Sequence, residues 1–105
     1  MVYTENVEFD WDPQKAESNF RKHGVTFEEA TLAFTDPFAH KFADDKHSIH
    51  EQRELLVAQT PFNMITVYYT EREPKITRII GARKSNEKEK EKYRENRLLR
   101  HSGNY

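Results

Sequence analysis

Cysteine is absent from the 105 residues, which excludes disulfides, thiol nucleophiles and every cysteine-liganded zinc or iron–sulfur site. Glycine is scarce, with three residues and no cluster. That leaves no phosphate-cradling loop and no Gly-x-Ser-x-Gly elbow, so kinase, nucleotide-binding and hydrolase readings fall away. No apolar run approaches the roughly 18 residues of a membrane span. Met1–Asn6 carries neither a basic patch nor an apolar stretch, so no signal peptide is expected there and the expectation is a cytoplasmic chain without a membrane partner.

Apolar side chains are also few. They make up 35% of the chain, and Leu, Ile, Val and Phe together number 22. Disorder additionally requires high net charge and few aromatics. Here the net charge is -1, and 7 Phe, 5 Tyr and 1 Trp are present. A small number of large rings can fill a thin core. One folded domain over residues 1–105 is therefore expected, with residues 96–105 as a frayed tail.

The near-zero net charge conceals two unlike halves. Residues 1–50 hold 5 Lys/Arg against 10 Asp/Glu, whereas residues 51–105 hold 12 against 8. A basic half points to a polyanion, although a solvated helix with mostly cancelling charges explains much of it.

Periodicity and punctuation divide the chain into eight elements. Val7, Phe9 and Trp11 alternate with acids, the pattern of a short half-buried strand. Asp12-Pro13 caps and opens a helix that Gly24 ends, with Ala16, Phe20 and His23 expected on its inner face. Thr26-Phe27-Glu28-Glu29 fits a capping box, opening a second helix to about Phe34. A strand through Phe38, His40 and Phe42 follows, then a polar loop over 44–51. Strands over 53–60, 63–71 and 75–84, joined by short turns containing Pro61 and Pro74, form an antiparallel meander. A charged helix over 86–100 closes the order β-α-α-β-β-β-β-α, which is an α+β fold with a mostly antiparallel sheet.

A metal site is chemically conceivable at Asp44, Asp45, His47, His50 and Glu51, but His-x-x-His alone is no metal signature and a hydrophilic loop explains these residues more cheaply. No metal or other cofactor is expected. What remains is a set of cations: Lys15, Lys22 and His23 on the first helix, then Arg53, Arg72, Arg78, Arg83 and Lys84 on and around the sheet. Trp11, Tyr68 and Tyr69 are interleaved with them. Cations on phosphates and rings under unstacked bases suit single-stranded RNA. The same inventory supports metal-free cleavage, because the ribose 2′-hydroxyl supplies the nucleophile. A protein-binding surface would use the same residues, Trp11 fits a core as well as a base platform, and His23 fits a helix C-terminus. On a regular strand Arg78 and Arg83 face opposite sides, unless a bulge near Gly81 re-aims one.

The motifs themselves resemble a known family. Phe9-x-Trp11-Asp12-x-x-Lys15, then Asn19-x-x-Lys22-His23-Gly24-Val25-x-Phe27-x-Glu29-Ala30 and Asp36-Pro37, are similar to the N-terminal signature of the BrnT toxins. His47-Ser48-x-x-Glu51-x-Arg53, Tyr69-Thr70-Glu71-Arg72 and Arg78-Ile79-Ile80-x-Ala82-Arg83-Lys84 resemble its middle and C-terminal motifs, in order.

The resemblance implies a RelE-like fold and a ribonuclease that inhibits translation. It also implies neutralisation by a BrnA-like ribbon-helix-helix antitoxin, which alone contacts operator DNA, and higher-order toxin–antitoxin assembly. It carries a catalytic set of Lys15, His23, Glu51, Arg53, Arg78 and Arg83. In that set the arginines hold the phosphate, His23 or Lys15 protonates the leaving oxygen and Glu51 acts as base. Trp11, Lys22, Tyr69, Arg72 and Lys84 would bind RNA, with Trp11 and Tyr69 stacking on bases. A silent homologue that only binds a DNA-binding antitoxin is the alternative.

Overall fold

Local chemistry sets the first helix at both ends. Asp12 accepts a hydrogen bond from the Gln14 amide (2.9 Å) as N-cap, and Pro13 occupies the first turn, where its missing N–H costs nothing. Gly24, at φ 71°, closes the helix in the left-handed region, donating its N–H to the Phe20 carbonyl (2.7 Å). The structure, a computed structural model, describes residues 8–44, 52–73 and 75–101.

The elements are β1 (Glu8–Asp10), α1 (Pro13–His23), α2 (Phe27–Leu32), β2 (His40–Ala43), β3 (Arg53–Gln59), β4 (Met64–Arg72), β5 (Ile76–Lys84) and α3 (Glu87–His101). The expected order holds. The second helix stops two residues early and continues as a single 3-10 turn, Ala33–Thr35. Thr26 caps it as expected, accepting from the Glu29 amide (2.9 Å). The Glu29 carboxylate, however, accepts from the Thr60 hydroxyl (2.8 Å), tying α2 to the β3–β4 turn. Helix α3 continues through His101, and Asn96 donates to the Phe38 carbonyl (3.3 Å), so the tail expected from residue 96 is helical through residue 101.

The strands form one sheet in the order β1-β5-β4-β3-β2. Pairing is antiparallel except for β1, which lies parallel to β5 over Glu8–Asp10. One face carries Leu56, Ala58, Ile65, Val67, Tyr69, Ile79 and Ala82, which pack beneath Val25, Phe27, Ala30 and Ala33. The opposite face carries Thr66, where α3 docks through Glu89. Phe20, expected inside, is 51% exposed. The inner side of α1 runs instead through Ala16, Asn19 and His23, because Asn19 makes the contact with β5.

One irregularity decides the sheet's chemistry. Tyr68 pairs with Gly81 and Tyr69 with Ile79, so Ile80 is an extra residue without an opposite number. Such a bulge reverses the alternation of every residue beyond it. Thr77 and Ile79 face the core before it and Ala82 after it.

Candidate active site

The bulge aligns the cations on the face away from the core. Arg53 pairs with Thr70, Thr70 with Arg78 and Arg78 with Asp10, one row across four strands. Tyr68 and Gly81 form the next row, and Thr66 and Arg83 the one after. Successive same-face residues stand roughly 7 Å apart along a strand, so Tyr68 and Gly81 make a floor between Arg53 and Arg83. Gly81 matters here because a side chain would rise from that floor: its Cβ would sit 3.9 Å from Tyr68 and 3.6 Å from Asn19 Oδ1. His23, at the end of α1, supplies the side wall. The result is a cleft of about 380 Å³ lined by Asn19, His23, Arg53, Tyr68, Gly81 and Arg83.

Arg83 is held on three sides. Its Nε donates to the Tyr68 hydroxyl (3.1 Å), its terminal nitrogens form a fork with Glu89 (2.8 Å each), and one also reaches the Lys84 carbonyl (3.3 Å). Glu89 accepts further bonds from Thr66 (3.0 Å) and the Asn86 amide (2.8 Å), and Asn86 in turn accepts from the Glu89 amide, closing a capping box on α3. Burial opposes ionisation of Glu89, but the bonds from Arg83, Asn86 and Thr66 outweigh it and hold the carboxyl below its usual range. The same pair holds Arg83 more firmly protonated than usual. Arg78 bonds Asp10 (2.7 Å), and Thr70 Oγ1, between Arg53 and Arg78, is buried with no hydrogen-bond partner among the described residues.

A cleft with two arginines, a histidine and a tyrosine hydroxyl can bind a phosphodiester, neutralise added charge on it and move a proton. Residues 11–89 match the model of a family described as the ribonuclease toxin, BrnT, of type II toxin–antitoxin systems. The chain belongs to the BrnT family. The fold is similar to that in a 1.1 Å crystal structure of the Brucella abortus ribonuclease toxin, BrnT, with a TM-score of 0.60 at 18% identity over 78% of this chain and 100% of that one. No protein of curated function matches the sequence. Membership of the BrnT family makes this a type II ribonuclease toxin and implies an antitoxin partner.

The structure brings together His23, Arg53 and Arg83, with Arg78 in the same row as Arg53 but outside the lining of the cleft. Lys15 and Lys22 are exposed on α1 and do not line the cleft. Arg72 ends β4 on the arginine face, while Lys84 pairs with Ile65 and borders a separate hollow beside Lys90. Glu51, with His47, His50 and Asp45, lies outside the described residues, and Asp44 is buried. Among the described residues no three His, Asp or Glu side chains gather as metal ligands.

Both expected stacking rings stand elsewhere. Trp11 packs edge-on against Phe27 (5.8 Å) and borders an apolar groove of about 800 Å³ with Phe20, Leu32 and Phe62, away from the arginines. Tyr69 is 2% exposed and lies edge-on to Phe34 (4.9 Å), so its faces are closed to a base. Burial, with Glu54 and Glu71 nearby, also holds its hydroxyl protonated. Tyr68 is the ring in the cleft. The alternation of Ile65, Val67 and Tyr69 against Thr66, Tyr68 and Thr70 carried that signal. Glu89 also had one, Asn86-x-x-Glu89 before a helix.

Proposed function

We propose that this chain is an endoribonuclease of RelE-like type that stops translation by cleaving RNA in the cytoplasm through metal-independent transesterification. A BrnA-like ribbon-helix-helix antitoxin neutralises it and carries it to operator DNA. The observation behind this reading is the convergence of His23, Arg53 and Arg83 over the Tyr68–Gly81 floor.

In this reaction the 2′-oxygen bonds to phosphorus and the bond to the 5′-oxygen breaks, leaving a 2′,3′-cyclic phosphate and a 5′-hydroxyl. Arg53 and Arg83 hold the non-bridging oxygens as negative charge builds. His23 gives its proton to the departing 5′-oxygen, and Glu51, two residues before Arg53, takes the 2′-hydroxyl proton. Arg78 and Arg72 extend the cationic face toward the next phosphate, and Tyr68 offers its ring to a neighbouring base. Lys15 and Lys22 add positive charge along the approach.

A catalytically silent homologue that only binds its antitoxin is favoured by one observation: the Glu89 carboxylate already occupies the fork of Arg83. Incubation of the antitoxin-free chain with a long single-stranded RNA in excess EDTA separates the two. Cyclic phosphate ends, lost in Arg53→Ala and His23→Ala, support the nuclease. Cleavage only with added Mg²⁺ removes the metal-free step. Silence on free RNA and on programmed ribosomes leaves the binding module.

A further inference from the structure

Helix α1 has to hold His23 over the bulge although it meets the sheet at an open edge. Strand β1 pairs with β5 only as far as Arg78, so beyond it β5 has no strand neighbour on that side among the described residues. The Asn19 side chain takes that place. Its Oδ1 accepts from the Ala82 amide (3.2 Å), and its Nδ2 donates to the Ala82 carbonyl (2.7 Å), as a pairing strand would. Nδ2 also donates to the Val25 carbonyl (3.0 Å), beyond the Gly24 turn. One planar amide therefore joins three backbone groups. Only asparagine, with two donors and an acceptor at this reach, satisfies all three.

We infer that Asn19 is the positioning residue for His23 in the ribonuclease reaction, an inference that rests on the proposed function above. His23 lies between the two tethered points of its own chain, four residues after Asn19 and two before Val25. Anchoring both to β5 fixes where the histidine backbone stands relative to Gly81 and Arg83, the other walls of the cleft. Lys22 and Arg21, on the turn's outer side, have no such tether and are exposed.

The expected behaviour is a loss that flows through His23 alone. Asn19→Ala lowers kcat for RNA cleavage at least 30-fold with KM changed less than threefold, because Arg53 and Arg83 stay on their strands. The double variant Asn19→Ala/His23→Ala is then no slower than His23→Ala by more than twofold. Asn19→Asp, which turns an acceptor toward two carbonyls, behaves like Asn19→Ala. Independent losses that multiply in the double variant, or a full rate in Asn19→Ala, overturn the inference.

The imidazole ring resonances of His23 in NMR spectra provide a readout that needs no turnover. They should shift in Asn19→Ala, and their contacts to Tyr68 and Arg83 should be lost, with the ring resonances of the remaining histidines unchanged. If the wild type cleaves no RNA, the ribonuclease reading fails and with it the catalytic purpose. The ring resonances then decide whether Asn19 holds His23 at all, and an unmoved His23 resonance refutes it.

Discussion

Arg78 and Arg83, five positions apart on one strand, face the same side of the sheet. An odd separation on a regular strand would place them on opposite sides, and Ile80, the unpaired residue between them, supplies the missing half-period. The cleft exists because of that one residue.

Filling the floor should separate activity from folding. Gly81→Val places a branched side chain where the floor is open, at ordinary contact distance from Tyr68 and Asn19 for its Cβ. The thermal midpoint is expected to stay within a few degrees, since β-branched residues suit strands. RNA cleavage should fall at least tenfold. Normal cleavage by a folded Gly81→Val chain would place the reaction elsewhere.

The two adjacent tyrosines should have opposite phenotypes. Tyr69→Ala empties a core position and is expected to cost about 3–5 kcal/mol in urea unfolding. Tyr68→Ala should cost far less stability yet weaken binding of a 2′-deoxy-substituted RNA analogue by about 1–3 kcal/mol, the range of a lost stacking platform. Equal effects in both assays would contradict the assignment of faces.

The Arg83–Glu89 pair links stability to pH. Because the carboxyl titrates below its unfolded value of 4.5, its contribution is fully present above that value and is lost as the pH falls through the lower, folded one. Glu89→Gln also weakens the α3 cap, so it should destabilise the chain by about 1–2 kcal/mol at pH 7. The gap to wild type should narrow as the pH falls below 4.5. A constant difference across that window would show that the charge is irrelevant.

Thr70 lies in the arginine row, and its buried hydroxyl has no hydrogen-bond partner among the described residues. Thr70→Val removes that oxygen at nearly equal shape. It is expected to stabilise the fold by about 1 kcal/mol, since an unsatisfied buried hydroxyl is a cost. Destabilisation in urea titration would mean that the hydroxyl has a partner in solution.

Trp11 is the only tryptophan, which makes it a clean reporter. It borders the apolar groove and not the arginine cleft. Adding the RNA analogue should leave its emission maximum within about 2 nm, whereas a base stacked on the indole would quench it strongly. Strong quenching would return Trp11 to the RNA site.

Much of this was legible from residue order alone. Asp12-Pro13, Gly24 and Thr26 set helix ends because capping involves groups within four residues of one another. Strand spans and the α+β class follow from alternation and short turns, which are equally local. His23, Arg53 and Arg83 were legible as chemistry, through residue type and motif. Their meeting was not, because it depends on Ile80 pairing with nothing on β4 and on Asn19 filling the edge that a short β1 leaves open. The tertiary structure also decided that Tyr69 is core, that Trp11 belongs to a different surface and that Glu89 takes the Arg83 fork. Each of those outcomes is a competition for burial or for a hydrogen-bond partner between residues far apart in the chain, and local propensity has no knowledge of the competitor.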